Sequence, residues 1–159
     1  MFFQWRFIQV SFFVNFSVEE PLNCFRAEVT KDNDHSWEDS CVEIFMRNPA
    51  NPAEYFNFET TSRGVLLAAR GESRNDRQTL PQEDLDKIRR VKQISSIVGD
   101  LVCWGMAIEI PAEIFGLQSF SSSHFPSTGT PARIRRTCSR APISSARTSH
   151  TGSIGRTFR

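Results

Sequence analysis

The sequence predicts an all-β protein, an antiparallel β-sandwich of jelly-roll-like form that is incomplete at its C-terminal end. Three observations predict it. Five to seven short runs alternate apolar and polar residues with a period of two, the pattern of half-buried strands. Turn-forming clusters of Asn, Asp, Gly and Pro separate those runs. No long segment carries the 3.6-residue apolar repeat of an amphipathic helix, so sheet must pack on sheet. With 159 residues, the chain is long enough for one domain with a core of its own.

The elements follow in order. Val10, Phe12, Val14, Phe16 and Val18 alternate with Ser11, Phe13, Asn15 and Ser17 to give the first strand. Glu19 to Asn23 makes a turn around Pro21. Phe25, Ala27 and Val29 against Arg26, Glu28 and Thr30 predict a second strand. Lys31 to Ser36 is a polar loop. The third strand sets Val42, Ile44 and Met46 on one face and Cys41, Glu43 and Phe45 on the other. After the break at Asn48 to Pro52, a fourth places Phe56 and Phe58 inward and Tyr55, Asn57 and Glu59 outward. Arg63-Gly64 turns the chain into Val65–Ala69, and a charged loop over 70–84 leads to a strand-like segment from Ile88 to Ile97. Leu101 to Ile110 is the last clear strand, with Val102, Trp104, Met106, Ile108 and Ile110 in phase, which makes Trp104 a core residue. Pro111 to Phe115 fits a single helical turn, since Pro is tolerated at a first helical position.

Charge divides the chain in two. Residues 1–113 hold all 18 acidic residues and 12 of the 19 basic ones, whereas 114–159 hold seven Arg, no Lys and no acid. Of residues 118–159, 16 are Ser or Thr, a composition that buries too little apolar surface to offset chain entropy. The expected organisation is a partial sandwich domain over 1–117 and a basic Ser/Thr/Arg-rich tail over 118–159. That tail reads as disordered or as out of frame with the original coding sequence. A basic arm for nucleic acid is the alternative, weakened by the lack of Lys and of aromatic spacing. No glutamine-interrupted N-terminal run forms a signal peptide, and no stretch reaches the roughly 20 apolar residues that span a bilayer. The chain therefore reads as soluble, without a membrane or nucleic-acid partner. Cys24, Cys41, Cys103 and Cys138 show no metal-ligand spacing; three lie in apolar strand-like runs and are read as buried thiols, with a disulfide among them the alternative that no pattern indicates.

The most informative run is Trp37-Glu38-Asp39-Ser40-Cys41-Val42-Glu43. Glu43 is a carboxylate on a strand that otherwise favours burial. A sugar ring offers an apolar C–H face and a rim of hydroxyls, which an aromatic plate and carboxylates or amides recognise. The blander alternatives are that Trp37 shields a turn, that Glu43 is a solvated strand residue or half of an ordinary salt bridge, and that Asn57 and Glu59 are merely exposed strand positions. An enzyme reading would pair Glu38 or Asp39 with Glu43, as glycosidases pair carboxylates, but nothing in the sequence sets a partner across a cleft. His35, His124 and His150 all fall in loop or tail. Lys31-Asp32-Asn33-Asp34 offers oxygen ligands for a structural calcium ion but lacks the loop signature with its Gly and terminal Glu.

Residues 12–117 resemble carbohydrate-binding module family 9-like domains. The resemblance rests on RAEVTKDNDHSWEDSCVEIFM (26–46), EYFNFETTSRGVLLAARG (54–71) and WGMAIEIPAEIFGL (104–117). It implies a β-sandwich that binds glycan chain ends without catalysis, as an accessory to glycoside hydrolysis of xylan and other plant polysaccharides. It also implies that Trp37 stacks on the sugar and that Glu43 accepts hydrogen bonds from its hydroxyls. Asn57 falls at a polar sugar contact. Arg26 joins Glu43 and Asn57 on one outward face if strands 25–30, 41–47 and 54–60 are neighbours. The family's C-terminal strands, which supply a second aromatic wall, find no match after Leu117. A binding or interaction sandwich with a non-sugar ligand is the remaining alternative.

Overall fold

A computed structural model describes residues 11–93 and 95–117, together with the backbone of 132–135. The chain runs through β1 (Ser11–Pro21), β2 (Cys41–Arg47), β3 (Tyr55–Thr61), β4 (Leu66–Gly71) and β5 (Gln78–Thr79). A short helix α1 (Gln82–Lys87) then precedes β6 (Arg89–Lys92), β7 (Ser96–Val98), β8 (Leu101–Pro111) and β9 (Ala132–Arg135). Single 3-10 turns lie at Leu22–Cys24, Ser36–Glu38 and Ala112–Phe115. One sheet has β8 at its centre, with β1 on one side and both β6 and β7 on the other; the second has the order β5-β4-β3-β2-β9. Every pairing is antiparallel, as the alternating sequence requires.

β1 pairs with β8 along its whole length, from Ser11↔Pro111 to Pro21↔Leu101. That occupies one edge of β8, so β6 and β7 share the other. The register steps from Lys92↔Met106 to Ser96↔Cys103, one residue more on the β6–β7 side than on β8, which is a bulge. Gln93 sits there, its backbone N–H donating to Gly105 O at 3.0 Å and its amide to Asn15 Oδ1 at 2.8 Å. A Cβ on Gly105 would lie 2.5 Å from Gln93 Oε1 and 2.9 Å from Phe16 O. The absence of a side chain at 105 is what lets Gln93 cross the sheet.

The alternation read from sequence builds the core. Phe12, Val14, Phe16 and Val18 lie opposite Ile110, Ile108, Met106 and Trp104 on the inner face of one sheet. Val42, Ile44, Met46, Phe56, Phe58, Leu66 and Ala68 supply the inner face of the other. Phe115, delivered by the last 3-10 turn, meets Phe56 edge-on at 4.8 Å and Phe12 at 5.3 Å. Such pairs are worth about 0.5–1.5 kcal/mol beyond their buried area. The turn stops at Gly116, whose φ of 71° is the left-handed geometry that ends helical turns.

One inward position on β1 carries a charge. Glu20 is 2% exposed and accepts Trp104 Nε1–H at 2.7 Å and Ser40 Oγ–H at 2.9 Å. A lone buried carboxylate would be costly, and these charge-assisted bonds offset its desolvation. Ser40 Oγ in turn accepts the Arg26 backbone N–H at 3.1 Å. Trp104 is thus a core residue, as its phase predicts, and also a donor.

Four differences from the sequence reading have physical causes. Residues 25–30 are extended but join no ladder, because side chains satisfy their backbone: Asp39 Oδ2 accepts the N–H groups of Glu28 and Val29, both at 2.8 Å. The charged loop holds α1, whose acids Glu83 and Asp84 lie in the first turn and Lys87 in the last, the arrangement that suits the helix dipole. Cys24 is disulfide-bonded rather than a thiol, while Cys41 and Cys103 are thiols. Within the tail, Ala132–Arg135 pairs with β2 from Cys41↔Arg135 to Ile44↔Ala132, a strand too short to leave an apolar repeat in the sequence. The other tail residues, His124 and His150 among them, lie outside the described ones.

Trp104→Phe keeps the ring and removes the donor to Glu20. The expected loss is about 1–3 kcal/mol of stability, read as a lower urea midpoint with an unchanged m-value. A midpoint equal to wild type would show that the bond holds nothing together.

Candidate functional site

The outer face of the five-stranded sheet is built by the residues that alternate away from the core. Its rows can be read from the register. Glu43 lies opposite Glu59, with Arg133 of β9 on the other side of Glu43 and Leu67 of β4 on the other side of Glu59. In the next row Phe45 lies opposite Asn57, which lies opposite Ala69. The row after that holds Arg47, Tyr55 and Gly71. Ala69 and Gly71 are small, so the β4 side of the face is low. Phe45 and Tyr55, with ring centroids 6.0 Å apart, stand beside Asn57, and Arg77 lies 5.9 Å from the Tyr55 ring centroid.

Two of the sequence-predicted residues share this face. Glu43 is 6% and Asn57 1% exposed. Glu59, which the sequence leaves as an ordinary strand residue, is 5% exposed and joins them. Asn57 Nδ2 donates to Glu59 Oε1 at 2.7 Å. The remaining oxygens, Asn57 Oδ1 and Glu59 Oε2, are buried and accept no hydrogen bond from any described residue. Carboxylates directly opposite on antiparallel strands sit about 4.5–5.5 Å apart at Cβ, and like charges there are destabilising. A sheet designed for stability alone would not collect two carboxylates and two unmet acceptors in one row and its neighbour.

Trp37 is delivered by the Ser36–Glu38 turn, which packs against β3. It is 37% exposed, the most accessible of the predicted residues except Arg26. The His35 ring meets it edge-on at 4.8 Å, and His35 is itself held to Asp34 Oδ1 through Nδ1 at 2.6 Å and its backbone N–H at 2.8 Å. Those bonds, the backbone one foremost, hold the Asp34 carboxyl below its ordinary pKa. The support they give is therefore present at neutral pH and is lost as pH falls through that lowered value.

Arg26 departs from its expected place. Segment 25–30 borders neither β2 nor β3 in the sheet, whose neighbours to β2 are β3 and β9. Arg26 instead pairs with Glu28 at 2.8 Å and approaches Asp39 Oδ1 at 3.9 Å; the Glu28 hydrogen bond is the main reason its pKa is raised. The acids of the enzyme alternative are also dispersed. Asp39, fully buried, caps the backbone of Glu28 and Val29, and Glu38 sits in the Trp37 turn. In the acidic loop, Asp32 accepts both Arg90 Nη1, at 2.8 and 2.9 Å, and the Leu66 N–H. Asn33, with a left-handed φ of 58°, bridges to Leu80 and Ala68. Among the described residues no group of three or more His, Cys, Asp or Glu converges as metal ligands would. A cavity of about 370 Å³ lined by Phe25, Ala27, Arg63, Lys92, Gln93 and Trp104 lies elsewhere, and none of the four predicted residues lines it.

Glu59 could have been found from the sequence by one signal. It lies two residues from Asn57 on the same strand face, and the register places it opposite Glu43. Phe45 and Tyr55 show only an aromatic alternation common to any strand.

Comparison with known proteins bears on the family and the fold. The sequence profile of carbohydrate-binding family 9 matches residues 2–130. A crystal structure of a candidate carbohydrate-binding protein from Bacteroides uniformis superimposes with a TM-score of 0.58 at 27% identity, covering 71% of this chain and 52% of the other. The chain thus spans about half the length of that structure. No curated protein sequence matches. No helix among the described residues is long and apolar enough to cross a membrane.

Glu59→Gln removes one of the two facing carboxylates and keeps the side-chain shape. We expect it to raise stability by about 0.5–1 kcal/mol, visible as a higher urea midpoint at neutral pH. A lower midpoint would mean that the Glu59 charge is fully compensated in the resting protein.

Proposed function

The chain belongs to carbohydrate-binding family 9, and from that premise we propose that it binds a glycan on the outer face of its five-stranded sheet without acting on it chemically. Trp37 provides the apolar plate, and Glu43, Asn57 and Glu59 provide acceptors for the sugar hydroxyls. The observation that carries this reading is the pair of buried, unmet acceptors Asn57 Oδ1 and Glu59 Oε2 in the rows next to and containing Glu43. Buried polar atoms in native proteins nearly always have partners. Ser36, Asp39, Thr60 and Ser62 each have one such unmet oxygen as well. Asn57 and Glu59, however, bring two together on one strand face beside Glu43, which supports partners that arrive with a ligand. Hydroxyls suit them, because each O–H can donate and rotate to fit.

The finer role follows the family. We infer recognition of the chain ends of plant-polysaccharide glycans, xylan among them, in support of separate glycoside hydrolases. Arg26 belongs to the scaffold in this reading: its pairing with Glu28 and its approach to Asp39 steady the corner from which Trp37 projects. The acids of the corner support binding over catalysis, since Asp39 is committed to the backbone N–H groups of Glu28 and Val29.

Affinity electrophoresis in native gels containing xylan, cellulose-derived or mixed-linkage glucans tests this directly. Trp37→Ala should weaken retardation about tenfold or more, near 1.4 kcal/mol, while leaving the urea midpoint almost unchanged because the ring is partly exposed. Glu43→Gln should weaken binding by about 1.5–3 kcal/mol, the range for hydrogen bonds to a charged group. Hydrolysis of aryl glycosides that disappears in Glu43→Gln would instead establish an enzyme. Unaltered retardation in Trp37→Ala would place the sugar elsewhere.

A further inference from the structure

We propose that Glu59 is a ligand-contacting, specificity-determining residue, and that the Glu43–Asn57–Glu59 face selects sugars by charge, favouring amino sugars over neutral ones and neutral sugars over uronic acids. The inference rests on the carbohydrate-binding reading and deepens it.

The hydrogen-bonding capacity of the face decides the matter. Glu43 and Glu59 lie opposite each other and are both more than nine-tenths buried. An ionised carboxylate only accepts. The one donor side chain among the three is Asn57 Nδ2, which spends one of its two N–H groups on Glu59 Oε1 at 2.7 Å and keeps the other. Against that single remaining N–H, the face offers a ligand the acceptors Asn57 Oδ1 and Glu59 Oε2, neither reached by any described donor. A ligand edge made of donors fits, and an edge that carries its own carboxylate does not.

Charge sharpens the choice. Buried charges are screened least by salt and solvent, so an ammonium placed at Glu59 Oε2 gains a charge-assisted bond about twice as strong as that of a neutral hydroxyl. A uronate would bring its own carboxylate up to Glu59 Oε2, which no described donor reaches. Two of the basic residues along the sheet stand away from Glu59. Arg133 occupies the register position beside Glu43, on the side away from Glu59. Arg47 is exposed at the Tyr55 row, and Arg77 lies at the Tyr55 ring. The two latter stand two rows along the sheet from Glu59, roughly 14 Å at about 3.4 Å per residue.

Isothermal titration with glucose, glucosamine and glucuronate, and with the corresponding galactose series, tests the proposal at about pH 6, where the amine is protonated and the uronate ionised. The expected order is amino sugar, then neutral sugar, then uronate, with about tenfold between successive members. Glu59→Gln should compress the amino-to-uronate ratio by about tenfold or more while still binding the neutral sugar. The ratio is read within one protein, so a change in the folded fraction cannot imitate it. Binding of all three classes without a charge order, or an order that Glu59→Gln leaves intact, would overturn the inference alone. Failure of every sugar in both series to bind, while glycans still retard the protein in native gels, would also overturn the inference alone; failure of both would remove the carbohydrate reading with it.

Discussion

A carboxylate buried between two sheets constrains this fold more than any other single group. Glu20 occupies an inward position of β1, in phase with Phe16 and Val18, where strand alternation calls for an apolar residue. It is held there by Trp104 of β8 and by Ser40 at the start of β2. Those two partners belong to different sheets, so the bond set ties β1 and β8 to the corner that launches the second sheet. Hydrophobic burial brings the sheets together without direction. The directional bonds at Glu20 add a register, because a slip of β1 by one residue would turn Glu20 outward, away from Trp104.

The same corner explains why the Trp37-Glu38-Asp39-Ser40 run is rich in polar residues. Asp39 stands in for a missing strand partner by taking the N–H groups of Glu28 and Val29, and Ser40 takes that of Arg26. The chain from 25 to 30 can then run extended along the sandwich with no ladder. A run that looks like a binding signature is therefore two things at once. Asp39 and Ser40 fasten the loop, and Trp37, projecting from the fastened turn, is left accessible.

How far the sequence could be read depended on whether a contact is periodic or not. Period two set the inward faces of β1, β2, β3 and β8 correctly, because each side chain on a pleat has only two directions available. It placed Glu43 and Asn57 together for the same reason. Arg26 failed because the alternation of 25–30 is real while its partner is a side chain rather than a strand, and no local pattern distinguishes the two. The helix over 82–87 was hidden by its length, a little under two turns. β9 was hidden because four residues cannot establish a repeat. Glu59 was visible as an outward residue, but its burial arises from neighbours on other strands, which only the assembled sheet reveals.

Buried acids in this molecule divide into two kinds, and the division carries the functional argument. Asp39 and Glu20 each accept two donors of their own chain, and removing either would loosen a joint; the second oxygen of Asp39 makes no hydrogen bond but has the Arg26 guanidinium 3.9 Å away. Glu59 faces another carboxylate, takes a single donor from Asn57, and keeps an oxygen that no described residue reaches. The first kind lowers the energy of the folded chain. The second raises it, by desolvation and by like-charge opposition, and persists at a place where strands are regular and no turn or cap demands a carboxylate. An arrangement that costs stability in the resting protein and becomes satisfied by incoming donors has the energetic form of a binding site. The sheet beneath it is what makes that cost tolerable: Phe56, Phe58 and Ile44 on the reverse face, each no more than 1% exposed, anchor the same strands in the core.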